Sequence, residues 1–308
     1  EGCGRPFTGD GVRGRGVLIA ALLTLLSLAP TQAATKPPIL LTSLAPTVST
    51  NFSGGDEVSQ LLTSPSAIFL LGTIETISSP LVTSTTLGGS DGFIAALNPG
   101  GGRIWDLRIG TSGDDVATAG CIDSSGNIWI AGSSAIATSA AGGATELNRL
   151  TIWEVSPAGL LLNTFTKDLT DVDVPTSIIV KGANFIIQGI SNKVGFPTFA
   201  ATLTPLGKIG ALKALTNTPV TTAQIFTVRS SAYLWQGFVA KRTIKGVKGI
   251  SLHPSTDLLL KLSLKDKSVK GAYSLTGAPI AMQYQSGLGV VVLSQGANSY
   301  FLTILHTK

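Results

Sequence analysis

Three features of the sequence predict an all-β fold, a β-propeller of about five four-stranded antiparallel blades. A β-rich run ending in a small residue recurs five times, and a second run follows each one, closing on Asn-Pro, Ser-Pro or Thr-Pro in the first three repeats. Clusters of Gly, Asp, Asn and Ser separate the runs. Self-similarity at a period of tens of residues marks a repeat architecture, and short strands with regular breakers and no helical periodicity select propeller blades.

The first runs are Ile68-Phe69-Leu70-Leu71-Gly72, Ile128-Trp129-Ile130-Ala131-Gly132, Phe185-Ile186-Ile187-Gln188-Gly189, Tyr233-Leu234-Trp235-Gln236-Gly237 and Val290-Val291-Val292-Leu293-Ser294, with the glycines spaced 60, 57 and 48 residues apart. The second runs are residues 93–99, 151–157 and 199–205, with 258–262 and 300–305 in the equivalent places. A strand is expected before each first run, as at 116–122 and 178–180, and another after each proline, as at 104–109 and 209–215. Asp123-Ser124-Ser125-Gly126-Asn127 and Pro99-Gly100-Gly101-Gly102 supply turns, because these residues accept positive φ or bond their own backbone. The last repeat holds three strands, near 280–284, 290–293 and 300–305, so Ile39-Leu40-Leu41-Thr42-Ser43 is expected to pair with the final blade and close the ring. Closure would remove an open sheet edge.

Ahead of the repeats, Arg13 and Arg15 precede residues 17–28, which are uncharged and mostly apolar; Pro30 and then Thr31-Gln32-Ala33 follow. This is the layout of a secretory signal peptide, cut between Ala33 and Ala34. As a helix the apolar stretch rises only ~18 Å against a hydrocarbon core of ~30 Å, too short to span it. The domains expected are therefore a signal peptide at 1–33 and a propeller at 34–308, secreted to the extracellular space or periplasm. Residues 1–11 begin with Glu1 and read as neither a basic leader nor a domain, so this start is read as misplaced or fragmentary. Cleavage removes Cys3 and leaves Cys121 alone, which excludes an internal disulfide and suggests a small buried hydrophobe rather than a reactive thiol.

Of the 308 residues, 44% are hydrophobic and 13% charged, which excludes a disordered chain. No apolar run reaches the ~18 residues of a membrane-spanning helix. A single domain of this size can bury roughly three quarters of its unfolded surface without help from metals or disulfides.

Residues 91–132 contain Asp91-Gly92-Phe93-Ile94-Ala95-Ala96-Leu97-Asn98-Pro99-Gly100-Gly101, Trp105, Gly110, Gly113-Asp114-Asp115 and Ile122-Asp123-Ser124-Ser125-Gly126-Asn127-Ile128-Trp129-Ile130-Ala131-Gly132. This stretch resembles the bacterial β-propeller repeat family called SBBP, and the rest of the chain resembles it loosely. The family tryptophan is matched at Trp105, whereas the same offset from the proline gives Asn163 and Ala211 in the next two repeats. The resemblance implies an exported, non-catalytic repeat domain and brings no catalytic residues with it.

The residues themselves offer little reaction chemistry. His253 and His306 lie in different repeats without metal-ligand spacing, and His253 in Leu252-His253-Pro254-Ser255 reads as a turn residue. Gly88-Gly89-Ser90-Asp91-Gly92 matches G-x-S-x-G, but that motif needs a strand turning into a helix, and here it leads into a strand. Asp168, Asp171 and Asp173 hint at calcium yet lack the glycine and terminal glutamate of an EF-hand loop, so a solvated turn is expected. No catalytic residue, metal or cofactor is assigned. The alternative is a glycan-active hydrolase or lyase, which requires paired carboxylates ~5–9.5 Å apart near the central channel. A third reading is a structural piece of a larger surface protein.

Charge is divided unevenly. Residues 34–175 hold five basic and thirteen acidic residues, a balance of −8, and residues 176–308 hold fourteen basic and two acidic, a balance of +12. Lys241, Arg242, Lys245 and Lys248, followed by Lys261, Lys265, Lys267 and Lys270, are the candidate ligand-binding residues, offering a basic face to an anionic surface polymer, glycan, lipid headgroup or protein. Solubilising edge lysines would give the same pattern. Nucleic acid is disfavoured, because export separates the chain from it and no aromatics interleave with these lysines. The function expected is that of a monomeric, non-enzymatic binding or scaffolding module acting through loops on one face.

Overall fold

The computed structural model describes residues 38–51, 56–75, 77, 79–135, 147–169, 171–191, 198–214, 226–240, 243–244, 247–250, 256–297 and 299–306. The expected signal peptide, residues 1–33, lies outside the described residues. Two strands, β1 (Ile39–Ser43) and β2 (Val48–Asn51), precede five sheets. Sheet 1 holds β3 (Glu57–Thr63), β4 (Ile68–Ile74), β5 (Asp91–Leu97) and β6 (Arg103–Ile109). Sheet 2 holds β7 (Asp115–Ile122), β8 (Ile128–Ser134), β9 (Arg149–Val155) and β10 (Leu161–Asp168). Sheet 3 holds β11 (Asp173–Lys181), β12 (Asn184–Ser191), β13 (Thr198–Leu203) and the short β14 (Lys213–Ala214). Sheet 4 is built on β15 (Phe226–Arg229), β16 (Tyr233–Ala240), β18 (Thr256–Ser263) and β19 (Val269–Ser274), with the two-residue β17 (Val247–Lys248) beyond. Sheet 5 holds β20 (Ala278–Gln285), β21 (Gly289–Gln295) and β22 (Ser299–Leu305).

The first strands of the sheets pack on one another: β15 against β20, β20 against β3, β3 against β7 and β7 against β11. Later strands of each sheet step outward in sequence order. This radial stacking is a β-propeller. Burial follows it: β5 and β8 are buried at every position, so they read as continuous apolar runs, whereas Leu161, Leu162, Asn163 and Thr164 of the outer strand β10 are exposed. Separate apolar clusters fill the gaps between successive sheets. Val58, Ile68 and Phe93 meet Val291, Leu293 and Leu302 between sheets 1 and 5, and Trp129 meets Phe185, Ile187 and Phe199 between sheets 2 and 3.

The recurring glycine has a steric cause. Each of β3, β7, β11 and β20 contains a register shift, between Val58 and Gln60, Ala117 and Ala119, Pro175 and Ser177, and Pro279 and Ala281. Opposite the bulge stand Gly72, Gly132, Gly189 and Ser294 in turn. A Cβ on Gly72 or Gly132 would lie 1.9 Å from the carbonyl oxygen of Glu57 or Val116, and one on Gly189 2.3 Å from that of Val174. The bulge turns a carbonyl into the space a side chain would need.

A second contact repeats between neighbouring sheets. Trp105 of β6 covers Gly159 in the turn after Pro157, to whose carbonyl its Nε1 donates at 3.1 Å. Phe165 of β10 covers Gly207, two residues after Pro205, and Val48 of β2 covers Gly101, two residues after Pro99. Gly101, Gly159 and Gly207 all have φ between 82° and 85°, a conformation that leaves the turn without a Cβ under the incoming side chain. Phe165 therefore takes the place that sequence spacing alone gave to Asn163.

The N-terminal strand departs from expectation. Ile39–Ser43 runs parallel to β19 of sheet 4, with Leu41 opposite Ala272, rather than pairing with the final blade. Sheet 5 instead receives β2, antiparallel to β22 with Val48 opposite Leu302. The apolar run at 39–43 goes where apolar surface awaits it: Ile39 and Leu41 pack on Leu260, Leu262 and Ala272. An outermost strand needs little more than backbone pairing, and Val48 is the only apolar residue of Val-Ser-Thr-Asn.

Candidate functional site

Two cavities open among these strands. The axial one, about 350 Å³, is bordered by first strands: Gln60, Leu62 and Thr63 of β3, residues 120–122 of β7, residues 176–179 of β11 and Gln283 of β20. Gln60 is already engaged. The Gln60 side chain donates to the carbonyl of Gly120 at 3.2 Å and accepts the Gly120 N–H at 2.5 Å, bridging β3 and β7. Thr118, the bulged residue of β7, donates to the carbonyl of Pro175 in sheet 3. Cys121 borders this cavity, and burial, aided by the Asp123 charge, pushes its thiol up to about 12. No carboxylate borders the cavity among the described residues.

The second cavity, about 440 Å³, lies between sheets 4 and 5. Strand β16 puts Tyr233 and Trp235 on one face, since residues two apart share a side of the sheet. Lys261 is directly opposite Trp235 in the β16–β18 ladder, and Tyr273 is opposite Leu259, so both join that face. From sheet 5 come Tyr284, the turn residues Ser286 and Gly287, and His306. The Trp235 ring lies 6.4 Å from that of Tyr233, edge-on, and 6.2 Å from that of Tyr273, stacked. The Lys261 ammonium sits 3.8 Å from the Tyr233 ring centre and 5.4 Å from that of Trp235. His306 Nδ1 donates to the Leu288 carbonyl at 3.0 Å, which fixes the ring at the rim.

Trp235 is 1% exposed, yet its indole Nε1 has no acceptor. A buried donor left unpaired costs ~1–3 kcal/mol. The chain has four tyrosines, and three of them line this one cavity, a convergence that scattered core packing would not produce.

The residues expected to bind ligand are only partly placed. Lys241, Arg242 and Lys245 lie outside the described residues, as does His253. Lys248 is exposed in β17, opposite Leu40 of β1. Lys265, Lys267 and Lys270 are exposed around the β18–β19 turn, and among the described residues of the basic series only Lys261 reaches the cavity. Tyr233, Trp235, Tyr273 and Tyr284 were not anticipated. The Tyr-Leu-Trp alternation of β16 was the available signal, whereas Tyr273 and Tyr284 become neighbours only through sheet pairing and packing.

The other motifs resolve into structure. Ser90 precedes β5, and its N–H donates to Asp114 Oδ1 at 3.0 Å. Asp91 beside it is fully buried and pairs with Arg108 at 2.9 Å; Arg108 also donates to the carbonyls of Ser84 and Ile77. Asp168 is exposed and pairs with Arg149, while Asp173 is buried at the start of β11. Among the described residues no group of three or more His, Cys, Asp or Glu is placed to hold a metal ion.

No protein-family model matches the chain, and no curated protein matches it. Among solved structures the chain is similar to the WD40 β-propeller domain of Doa1, at 10% identity and a TM-score of 0.40, covering 87% of this chain and 98% of that one. It is also similar to the Neurospora crassa Pan2 WD40 domain, at 11% identity and a TM-score of 0.33, with coverages of 87% and 98%. A protein of unknown function from Dyadobacter fermentans follows at 11% identity and a TM-score of 0.39, covering 80% of this chain and 75% of that one.

Proposed function

We propose that the chain is an exported, non-enzymatic binding module that holds an extracellular carbohydrate in the cavity between sheets 4 and 5. The observation that carries this reading is the convergence of Tyr233, Trp235, Tyr273 and Tyr284 around Lys261. Aromatic faces carry partial negative charge and meet the weakly positive C–H face of a sugar ring, while hydroxyl and N–H groups at the edges take up its polar substituents. A volume of about 440 Å³ falls within the ~300–1,000 Å³ in which small ligands are seated.

Export is supported by the layout of residues 13–33. Lys241, Arg242, Lys245 and Lys248 then act at longer range, drawing an anionic polymer toward the basic half.

Glycan-array binding by the exported chain at low and physiological salt tests this. Retention on a defined set of glycans, lost in Tyr284→Ala and Tyr233→Ala, is expected. Reversing the charges at Lys241, Arg242, Lys245 and Lys248 should weaken retention at low salt far more than at physiological salt. Retention on no glycan, or turnover of a bound one, would overturn the proposal.

A further inference from the structure

We infer that the ligand of this cavity is a carboxylated sugar, a uronic acid unit, whose carboxylate is taken by the Lys261 ammonium. The inference rests on the proposal that the cavity binds carbohydrate and adds the chemistry of the group recognised. A cage of aromatic rings without a charge of its own attracts cations. Here the cation is supplied by the protein, because Lys261 Nζ already sits over Tyr233 at 3.8 Å. A cationic ligand would be repelled from that position and an anionic one drawn to it.

Nothing in the cavity neutralises Lys261. No Asp or Glu lines it, and none of the ion pairs seen among the described residues involves Lys261. The second half of the chain holds only two acidic residues, Asp257 and Asp266. The wall of the cavity therefore holds one positive charge with no acidic partner among the described residues. Tyr273 and Tyr284 remain as apolar walls for the sugar ring, and Ser231 and Ser286 at the mouth offer hydroxyls to its substituents. An inorganic anion would leave those aromatic walls uncovered; a neutral sugar would leave Lys261 unpaired.

Calorimetric titration of the exported chain with tetragalacturonate, its methyl ester and the neutral galactose oligomer of the same linkage tests the inference. The acid is expected to bind about tenfold or more tightly than either uncharged form, the range of a hydrogen bond to a charged group. Lys261→Met should remove that difference, the affinity for the acid falling to that for the neutral oligomer. Lys261→Arg keeps the charge and should keep the preference. Equal affinity for acid and neutral oligomers, or tighter binding of a sulfated one, would overturn the carboxylate inference and leave the carbohydrate proposal standing. Failure of every glycan to bind would end both.

Discussion

Gly132 and Gly287 show two different reasons for a glycine. A Cβ at Gly132 would lie 1.9 Å from the Val116 carbonyl and 2.6 Å from the Trp153 ring, whereas at Gly287 nothing stands within 4 Å but φ is 86°. Gly132→Ala is therefore expected to cost ~1–3 kcal/mol or more through overpacking, and Gly287→Ala ~1 kcal/mol through backbone strain, both read from urea denaturation. Arg108 and Asp91 are a pair in which loss of one partner strands a buried charge, so Arg108→Met should cost ~3–5 kcal/mol in the same measurement. Burial pushes the Asp106 carboxyl up, but hydrogen bonds from Ser84 and Thr83 outweigh it and hold the group below its ordinary value. A depressed folded value means stability present above the unfolded value of about 3.8 and lost as pH falls through the folded one. Asp106→Asn should accordingly lower the melting temperature at neutral pH, with the difference shrinking on acidification through the carboxylate range. Cys121, its thiol pushed up to about 12 by burial, should react with a disulfide reagent far more slowly than free cysteine until the chain is unfolded.

At the scale of elements, the strands that could be read from the sequence are those with apolar runs bounded by breakers. Residues 116–122 and 104–109 fall within one residue of β7 and β6. What pairing alone decides was not legible. The bulges of β3, β7, β11 and β20 leave no mark in composition, although the small residue opposite each, glycine in three and Ser294 in the fourth, is visible in the sequence as a repeat. β2 was missed because a four-residue strand with one apolar side chain has no periodicity to detect, and the stronger signal at 39–43 belonged to a different sheet. The distinction can be tested by truncation. A chain beginning at Ala45 loses β1 and Leu44, which packs beside Trp235 and Tyr273, but keeps β2. A chain beginning at Phe52 also exposes the edge of β22, and its melting temperature should fall further, by roughly 2–4 °C for each kcal/mol of stability lost. Its aggregation should rise, because β22 becomes an open edge. Equal melting of the two chains would show that β2 contributes nothing.

Across the whole molecule, a radial stack of sheets leaves two kinds of gap, one on the axis and one between neighbouring sheets, and here they differ in chemistry. In the axial cavity Gln60 is held by the backbone of Gly120, whereas the gap between sheets 4 and 5 holds an ammonium with no acidic partner among the described residues. The sequence revealed the basic half but not this site, because its residues come from five strands, two turns and the segment after β22, and only their register joins them. The charge division found in the sequence places the acidic surplus in sheets 1 and 2 and the basic surplus in the half that contains the cavity. The association rate for an anionic glycan should therefore fall steeply with ionic strength while dissociation changes little, as stopped-flow tryptophan fluorescence would show.

The most direct measurement is hydrogen exchange of the whole chain with and without the glycan that it retains. The account predicts slowed exchange in peptides spanning 230–235, 259–263, 271–275 and 284–288. Slowing confined to the axial strands β3, β7 and β11, or to residues 241–248 alone, would contradict it.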